Sequence, residues 1–213
     1  MDIYASDEEK GEDIKRWWRE NGRSVITGIV LGTALIFAGR FWLNYQQTQA
    51  ENAATAYHQL TSLVKEGNAT GADQQNQLLL SDYSATPYAV FSSFEMATQA
   101  VNKADYASAK NHLEWVKDNA DLSGHVEIAR LRLAKLLLAE QNYDAAQVLV
   151  TESTSDSFSS LFSELQGDIY AVQGQYTDAR AAYQSAVLTL VDGEPRQVIL
   201  NIKIDDMAVA NDS

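Results

Sequence analysis

The side chains best equipped for chemistry in this chain are its three histidines, His58, His112 and His125. Imidazole titrates near neutrality and serves as acid, base or metal ligand. Either use requires partner groups at close spacing, within reach of one bound atom. Here the three fall on separate helical segments with no ligand spacing between them. The chain has no cysteine, which removes thiol nucleophiles, thiolate ligands and disulfides together. Aspartate and glutamate are scattered as on a solvated helical face, and there is no phosphate-binding glycine loop, nucleophile elbow or metal motif. The residues point away from enzymatic activity. No catalytic, cofactor-binding or metal-binding residue is assigned, and no cofactor is expected.

Charge narrows the binding partners. Of the formal net charge of −13, residues 1–43 hold six basic and seven acidic side chains, while residues 44–213 hold ten basic against twenty-two acidic. The second part thus carries nearly all the excess, and such a field repels phosphate backbones and anionic lipid head groups. Nucleic-acid binding is excluded on that ground.

The elements that must position any binding surface begin with Ser24 to Leu43, a run broken only by Arg40. At ~1.5 Å per residue it spans roughly 30 Å, the hydrocarbon thickness of a bilayer. Arg40 can snorkel to the interface, and Trp17, Trp18, Trp42 and Tyr45 bracket the run as interfacial aromatic residues do. Lys10, Lys15, Arg16, Arg19 and Arg23 precede it, whereas after Arg40 no basic residue appears before Lys65. The basic flank stays inside, which predicts a cytoplasmic N-terminus and an exported C-terminal domain. The run ends in Arg40-Phe41-Trp42-Leu43 rather than a small-x-small cleavage site, so an uncleaved signal anchor is expected. The predicted division is 1–23 cytoplasmic, 24–43 transmembrane and 44–213 exported. Ile14, Trp17 and Trp18 suggest a short interfacial helix before the anchor. Gly28 and Gly32 form a small-xxx-small pair, a candidate contact for another membrane helix.

Beyond residue 48 the pattern is helical, with few breakers and abundant alanine, leucine and glutamine. Thr48–Glu66 forms one candidate helix, with Gly67, Asn68 and Gly71 breaking it, and Thr86-Pro87 marks a later helix start. Tyr106-Ala-Ser-Ala109, Tyr143-Asp-Ala-Ala146 and Tyr176-Thr-Asp-Ala179 share the form Tyr-x-x-Ala, with Ala97, Ala134 and Gly167 twelve residues before each last alanine. The tyrosines are 37 and 33 residues apart, close to the tetratricopeptide period of about 34. Small residues let two antiparallel helices approach closely, and the ring fills the wedge beside them. Asp192-Gly193-Glu194-Pro195 is expected to stop the last repeat helix. In Arg196–Ala210, Val198, Leu200, Ile202 and Ile204 alternate as in a strand, while Leu200, Ile204 and Met207 fit a helix. A solenoid needs an amphipathic cap, which favours helix. The expected fold is all-α, an N-terminal transmembrane helix followed by a tetratricopeptide-like α-solenoid of stacked antiparallel helix pairs.

In such a stack the first helix of each pair lines the concave side. The groove positions are then Phe91, Phe94, Val101, Ile128, Leu131, Leu138, Leu161 and Val172, with Lys135, Glu164 and Asp168 among them. This set suits capture of an apolar polypeptide segment. The competing reading makes the same residues core, covered by Thr48–Glu66 or by a neighbouring subunit.

The blocks Asp2-Ile3-Tyr4, Lys15-Arg16-Trp17-Trp18-Arg19-Glu20-Asn21-Gly22 and Gly39-Arg40-Phe41-Trp42, with Gly28, Leu31 and Gly32 and the terminal Leu200-Asn201-Ile202-Lys203-Ile204, resemble the YfgM family. These are ancillary subunits of the SecYEG translocon in bacterial inner membranes. The resemblance implies a periplasmic tetratricopeptide-like domain working beside the translocon and the membrane-anchored chaperone PpiD, in contact with unfolded exported proteins. The rival expectation is a structural scaffold for envelope assembly or cell division unrelated to secretion.

Overall fold

The computed structural model describes residues 7–153, 155–191 and 193–211. Asp2-Ile3-Tyr4 and Asp192 lie outside them. The chain divides into two units, Met1–Asn52 and Ala53–Ser213. Among the described residues the regular structure is helical, with α1 Asp7–Lys65, α2 Ala69–Asp82, α3 Pro87–Asn102, α4 Tyr106–Asn119, α5 Ser123–Ala139, α6 Tyr143–Thr151, α7 Ser159–Val172, α8 Tyr176–Leu188 and α9 Arg196–Asn211. A 3₁₀ turn, Asp156–Phe158, precedes α7.

In the first unit the apolar run is wholly unburied, with a mean hydropathy of 1.7 over its most apolar stretch. Leu35 and Phe41 are about three-quarters exposed, a surface that water does not tolerate and lipid does. Ile14, Trp17 and Trp18 are helical and belong to the same uninterrupted α1 as the anchor. Thr48–Glu66 is likewise the end of α1 and not a helix of its own. Composition changes sharply around Asn44, but no glycine or proline stands between Gly39 and Gly67 to break the backbone ladder. Trp18 covers Gly22, where an added Cβ would meet the indole at 3.3 Å.

The second unit stacks its helices in chain order. Four corners share one geometry. Gly67, Ala104, Gln141 and Gly174 adopt left-handed φ values of 75°, 56°, 63° and 76°. The residue after each, namely Asn68, Asp105, Asn142 and Gln175, donates its N–H to the carbonyl five residues back, at 2.9 Å in every case. This is the Schellman closure of a helix C-terminus. The same residue opens the next helix: Asn68, Asp105 and Asn142 accept from the N–H of Gly71, Ser108 and Ala145. One residue therefore serves as both C-terminal lock and N-cap.

The three Tyr-x-x-Ala units fall at the starts of α4, α6 and α8, as the spacing predicts. The stack also holds a fourth pair, the end of α1 with α2. Its Ala72 occupies the position of Ala109, Ala146 and Ala179, and all four are essentially inaccessible. In this pair Ala69 stands in place of the tyrosine and Leu60 in place of the small partner, so it carries no repeat signature in the sequence. Gly167 is closely covered by the facing helix. A Cβ there would lie 2.4 Å from Cε1 of Tyr183.

The core follows the stack as a chain of linked clusters. Ala53, Ala56 and Leu60 of α1 pack with Leu79 and Met96, while Leu131, Phe162, Leu165 and Ile169 join α5 to α7. Thr86 has the extended backbone of an N-cap before Pro87, but its hydroxyl turns back to the Tyr83 carbonyl instead of capping α3. The last repeat helix ends at Leu188, ahead of the Gly193-Glu194-Pro195 stop. The C-terminal segment is helical: Leu200 is buried, Ile204 and Met207 pack beside it, and Val198 and Ile202 face outward.

Candidate protein-binding groove

The first helices of the pairs, α3 and α5, carry matching stripes. On α3 these are Phe91, Phe94, Thr98 and Val101, and on α5 they are His125, Ile128, Arg132, Lys135 and Ala139, all at alternating three- and four-residue steps. Contacts pair the stripes in the same direction. His125 packs edge-on against Phe91 at 5.7 Å and Phe94 at 6.4 Å between ring centroids. Farther along, the Arg132 guanidinium lies 4.7 Å from the centroid of the Phe94 ring.

At the first end the groove is filled by rings. Tyr57 of α1 meets Tyr88 at 5.9 Å and Phe91 at 6.1 Å, although Phe91 keeps 38% of its surface exposed. At the other end the small side chains of Ala97, Thr98 and Ala139 leave a cavity of about 380 Å³. Val101, Tyr106, Leu113 and Leu136 give it apolar walls, and Arg132 and Lys135 stand at it from α5.

The structure distributes the expected groove residues over three settings. Phe91, Phe94, Val101 and Lys135 lie along the α3/α5 groove. Leu131 is core, and Leu138 and Leu161 pack against that same α5–α7 core, while Ile128 is half-buried. Glu164 and Asp168 are engaged by α9: Lys203 reaches Glu164 at 2.9 Å and Asp168 at 2.7 Å, and Arg196 reaches Glu164 at 3.0 Å. Arg196 also pairs with Glu194. Val172, at the end of α7, is 56% exposed. The groove is thus open at α3/α5 and occupied by α9 at α7. Tyr57, Tyr88, Tyr106 and Arg132 are groove residues that the spacing argument did not include. Arg132 lies on the same α5 stripe as Ile128 and Lys135.

Electrostatics separates the two regions. Burial is the largest influence on Glu164 and would raise its pKa, yet hydrogen bonds and charge from Lys203 and Arg196 prevail and hold the carboxyl below its ordinary range. Lys203 is raised in turn: burial opposes its charge, and Asp168 and Glu164 more than offset that. Tyr183 is pushed far up by burial and by the neighbouring carboxylate of Asp168, to which its hydroxyl donates at 2.9 Å. Arg132 and Lys135 have no carboxylate partner among the described residues.

The histidines remain apart. His58 neighbours Tyr57, and His125 lies in the groove. His112 is lowered by burial against the opposing pull of Asp73 and Asp105. Among the described residues no three histidine, aspartate or glutamate side chains converge on a point that could hold a metal. In the anchor, Gly28 and Gly32 have open space around them, so an added Cβ at either would meet nothing within 4 Å.

Comparison with known proteins places this geometry. Curated relatives named ancillary SecYEG translocon subunit are similar over nearly their full lengths. The Escherichia coli protein is 23% identical over 98% of this chain and 100% of its own. That of Haemophilus influenzae is 26% identical over 87% and 91%, and that of Aggregatibacter actinomycetemcomitans 25% over 97% and 100%. No solved structure matches the chain significantly. Residues 15–209 match the family described as tetratricopeptide repeat-like domain, in keeping with the four Schellman corners and their buried alanines. With that match covering most of its length, the chain belongs to the tetratricopeptide repeat-like domain family.

Proposed function

We propose that this chain is a non-catalytic, membrane-anchored interaction subunit that works at the Sec translocon. Residues 24–43 cross the inner membrane once, the N-terminus stays in the cytoplasm, and the helix-pair domain faces the periplasm. There the domain links the channel to the chaperone PpiD and meets unfolded exported proteins through the α3/α5 groove. Three supports converge. The relatives named ancillary SecYEG translocon subunit align over nearly the whole chain, anchor included. The basic residues stand before the apolar run and are missing just after it. The observation that carries the binding role is the half-open groove itself, where Phe91, Val101 and Tyr106 keep about two-fifths of their surface exposed.

Photocrosslinkers placed at Phe91, Val101 and Lys135 in cells test the reading, with products identified by mass spectrometry. Recovery of translocon and chaperone subunits together with exported chains is the expected outcome. Products drawn from division or cell-wall machinery would instead favour the scaffold reading. A periplasm-dependent reporter fused to the C-terminus tests the orientation, and activity restricted to the cytosol overturns it.

A further inference from the structure

We propose that the outer face of α9 is a self-association surface, on which α9 of a second copy packs antiparallel about a two-fold axis level with Leu200.

The last helix of a stack buries one side and shows the other to water, so a terminal cap needs a polar outer face. α9 departs from this. Its Leu200, Ile204 and Met207 face the stack, as a cap requires. On the other side Val198, Ile199 and Ile202 form an apolar stripe at helical spacing, and they stay 65%, 53% and 56% exposed. Leu188 and Val191, at the connection from α8 to α9, are more than three-quarters exposed. Outside the groove, the other exposed large apolar residues described in the second unit are Leu78, Leu122, Val148 and Val172, on four separate segments. Such residues standing singly are ordinary, whereas three on one stripe of one helix mark a contact. The stack is thus open to one more helix.

Charge identifies that helix. α9 carries Arg196 in its first turn and Asp205 and Asp206 toward its last. The two acids stand near the negative end of their own helix dipole, where they are disfavoured. A second α9 laid antiparallel reverses the order. Val198 then meets Ile202 of the other copy, and Ile199 lies beside the axis. Asp205 and Asp206 reach the other copy's helix N-terminus and its Arg196. A parallel pairing would instead gather four aspartates at one end. An isologous contact of this kind closes on itself, so it gives a dimer and no filament.

Two opposing effects set the strength of the pairing. One helix face covers less than the roughly 800 Å² per partner of a standard interface. The two domains, each with ten basic against twenty-two acidic side chains, also repel one another. The dimer is therefore weak when the copies are dilute, and it tightens as salt screens the repulsion and spares the apolar contact. Holding both copies in one membrane raises their effective concentration.

The chain has no cysteine, so single cysteines report the geometry without background. The test uses full-length protein in isolated membranes treated with a mild oxidant. Ile199→Cys should give a disulfide-linked dimer, because its two copies are offset by only about 3 Å along the helix axes. Asp206→Cys should not, its copies being offset by about 18 Å. Equal yields at the two positions, or a yield at Asp206→Cys alone, overturn the antiparallel arrangement. In neutral detergent, sedimentation equilibrium of the native chain should show the dimer gaining as salt rises. Val198→Ser with Ile202→Ser should weaken dimerisation at least about tenfold at an unchanged melting temperature, since both side chains are exposed. A dimer that persists undiminished in that variant assigns association to the anchor and overturns the proposal. So does a chain that neither crosslinks through Ile199→Cys nor dimerises in detergent.

Discussion

The ring of Tyr183 lies against the bare Cα of Gly167, so close that a single methyl group at Gly167 would sit 2.4 Å from Cε1 and 2.5 Å from Cδ1. Tyr183 is buried and cannot swing away without breaking its hydrogen bond to Asp168. Gly167→Ala should therefore destabilise the domain by about 2 kcal/mol through overpacking, seen as a lower thermal midpoint. Gly124→Ala supplies the control. Nothing lies within 4 Å of its Cβ position, and alanine favours the helix, so stability should stay level or rise slightly.

Two corners hold non-glycine residues in the left-handed region, Ala104 and Gln141. Each bears a steric cost that glycine avoids. Ala104→Gly and Gln141→Gly should each stabilise the fold by up to about 1 kcal/mol, the lost strain outweighing the greater freedom of the unfolded chain. Gly174→Ala, at φ 76°, should lower stability by a similar amount. Denaturant midpoints for the three variants check this directly.

Attachment of α9 should depend on pH at both extremes. Glu164 is held below its ordinary value, so its contribution is present above the unfolded pKa near 4.5 and is lost as pH falls through the lower folded value. Lys203 is raised, so its contribution is present below 10.5 and is lost as pH climbs through the higher folded value. Amide exchange in α9 should quicken in acid and in strong alkali and stay slow between. Glu164→Gln should weaken α9 docking by roughly 1.5–3 kcal/mol, the range for hydrogen bonds to charged groups, and flatten the acid limb.

The proposed orientation should yield to charge transplantation. Replacing Arg16, Arg19 and Arg23 by Glu, and Asn44, Gln46 and Gln47 by Lys, moves the basic flank to the other side of the apolar run. A C-terminal reporter that needs the periplasm should lose most of its activity, because the basic side is retained inside. Unchanged activity would show that another signal sets the topology.

The repeats could be read from the chain because their constraint is local. A small residue and a Tyr-x-x-Ala twelve positions apart are bound by one hairpin, and Ala97/Ala109, Ala134/Ala146 and Gly167/Ala179 record it. The pair formed by α1 and α2 met the same constraint with Leu60 and Ala69, which leave no visible signature. The apolar-to-polar change near Asn44 suggested a boundary, but the backbone of α1 follows helix propensity, which does not change there. The groove was only half legible. Spacing placed Phe91, Phe94 and Val101 on one stripe, since periodicity fixes the face of a helix. Glu164 and Asp168 lie on a comparable face, yet their partners Arg196 and Lys203 are 32 to 39 residues downstream, and no local rule foretells which face a later helix will claim.

The doubled duty of Asn68, Asp105 and Asn142, ending one helix while starting another, leaves no slack between the members of a pair. The angle within each hairpin is then set by main-chain geometry at a single left-handed residue, so the hairpins keep their form independently of the side chains that line the cleft between them. Lining side chains are free to drift and acquire new ligands while the frame stays constant. A scaffold built this way can diversify its recognition without re-solving its folding problem.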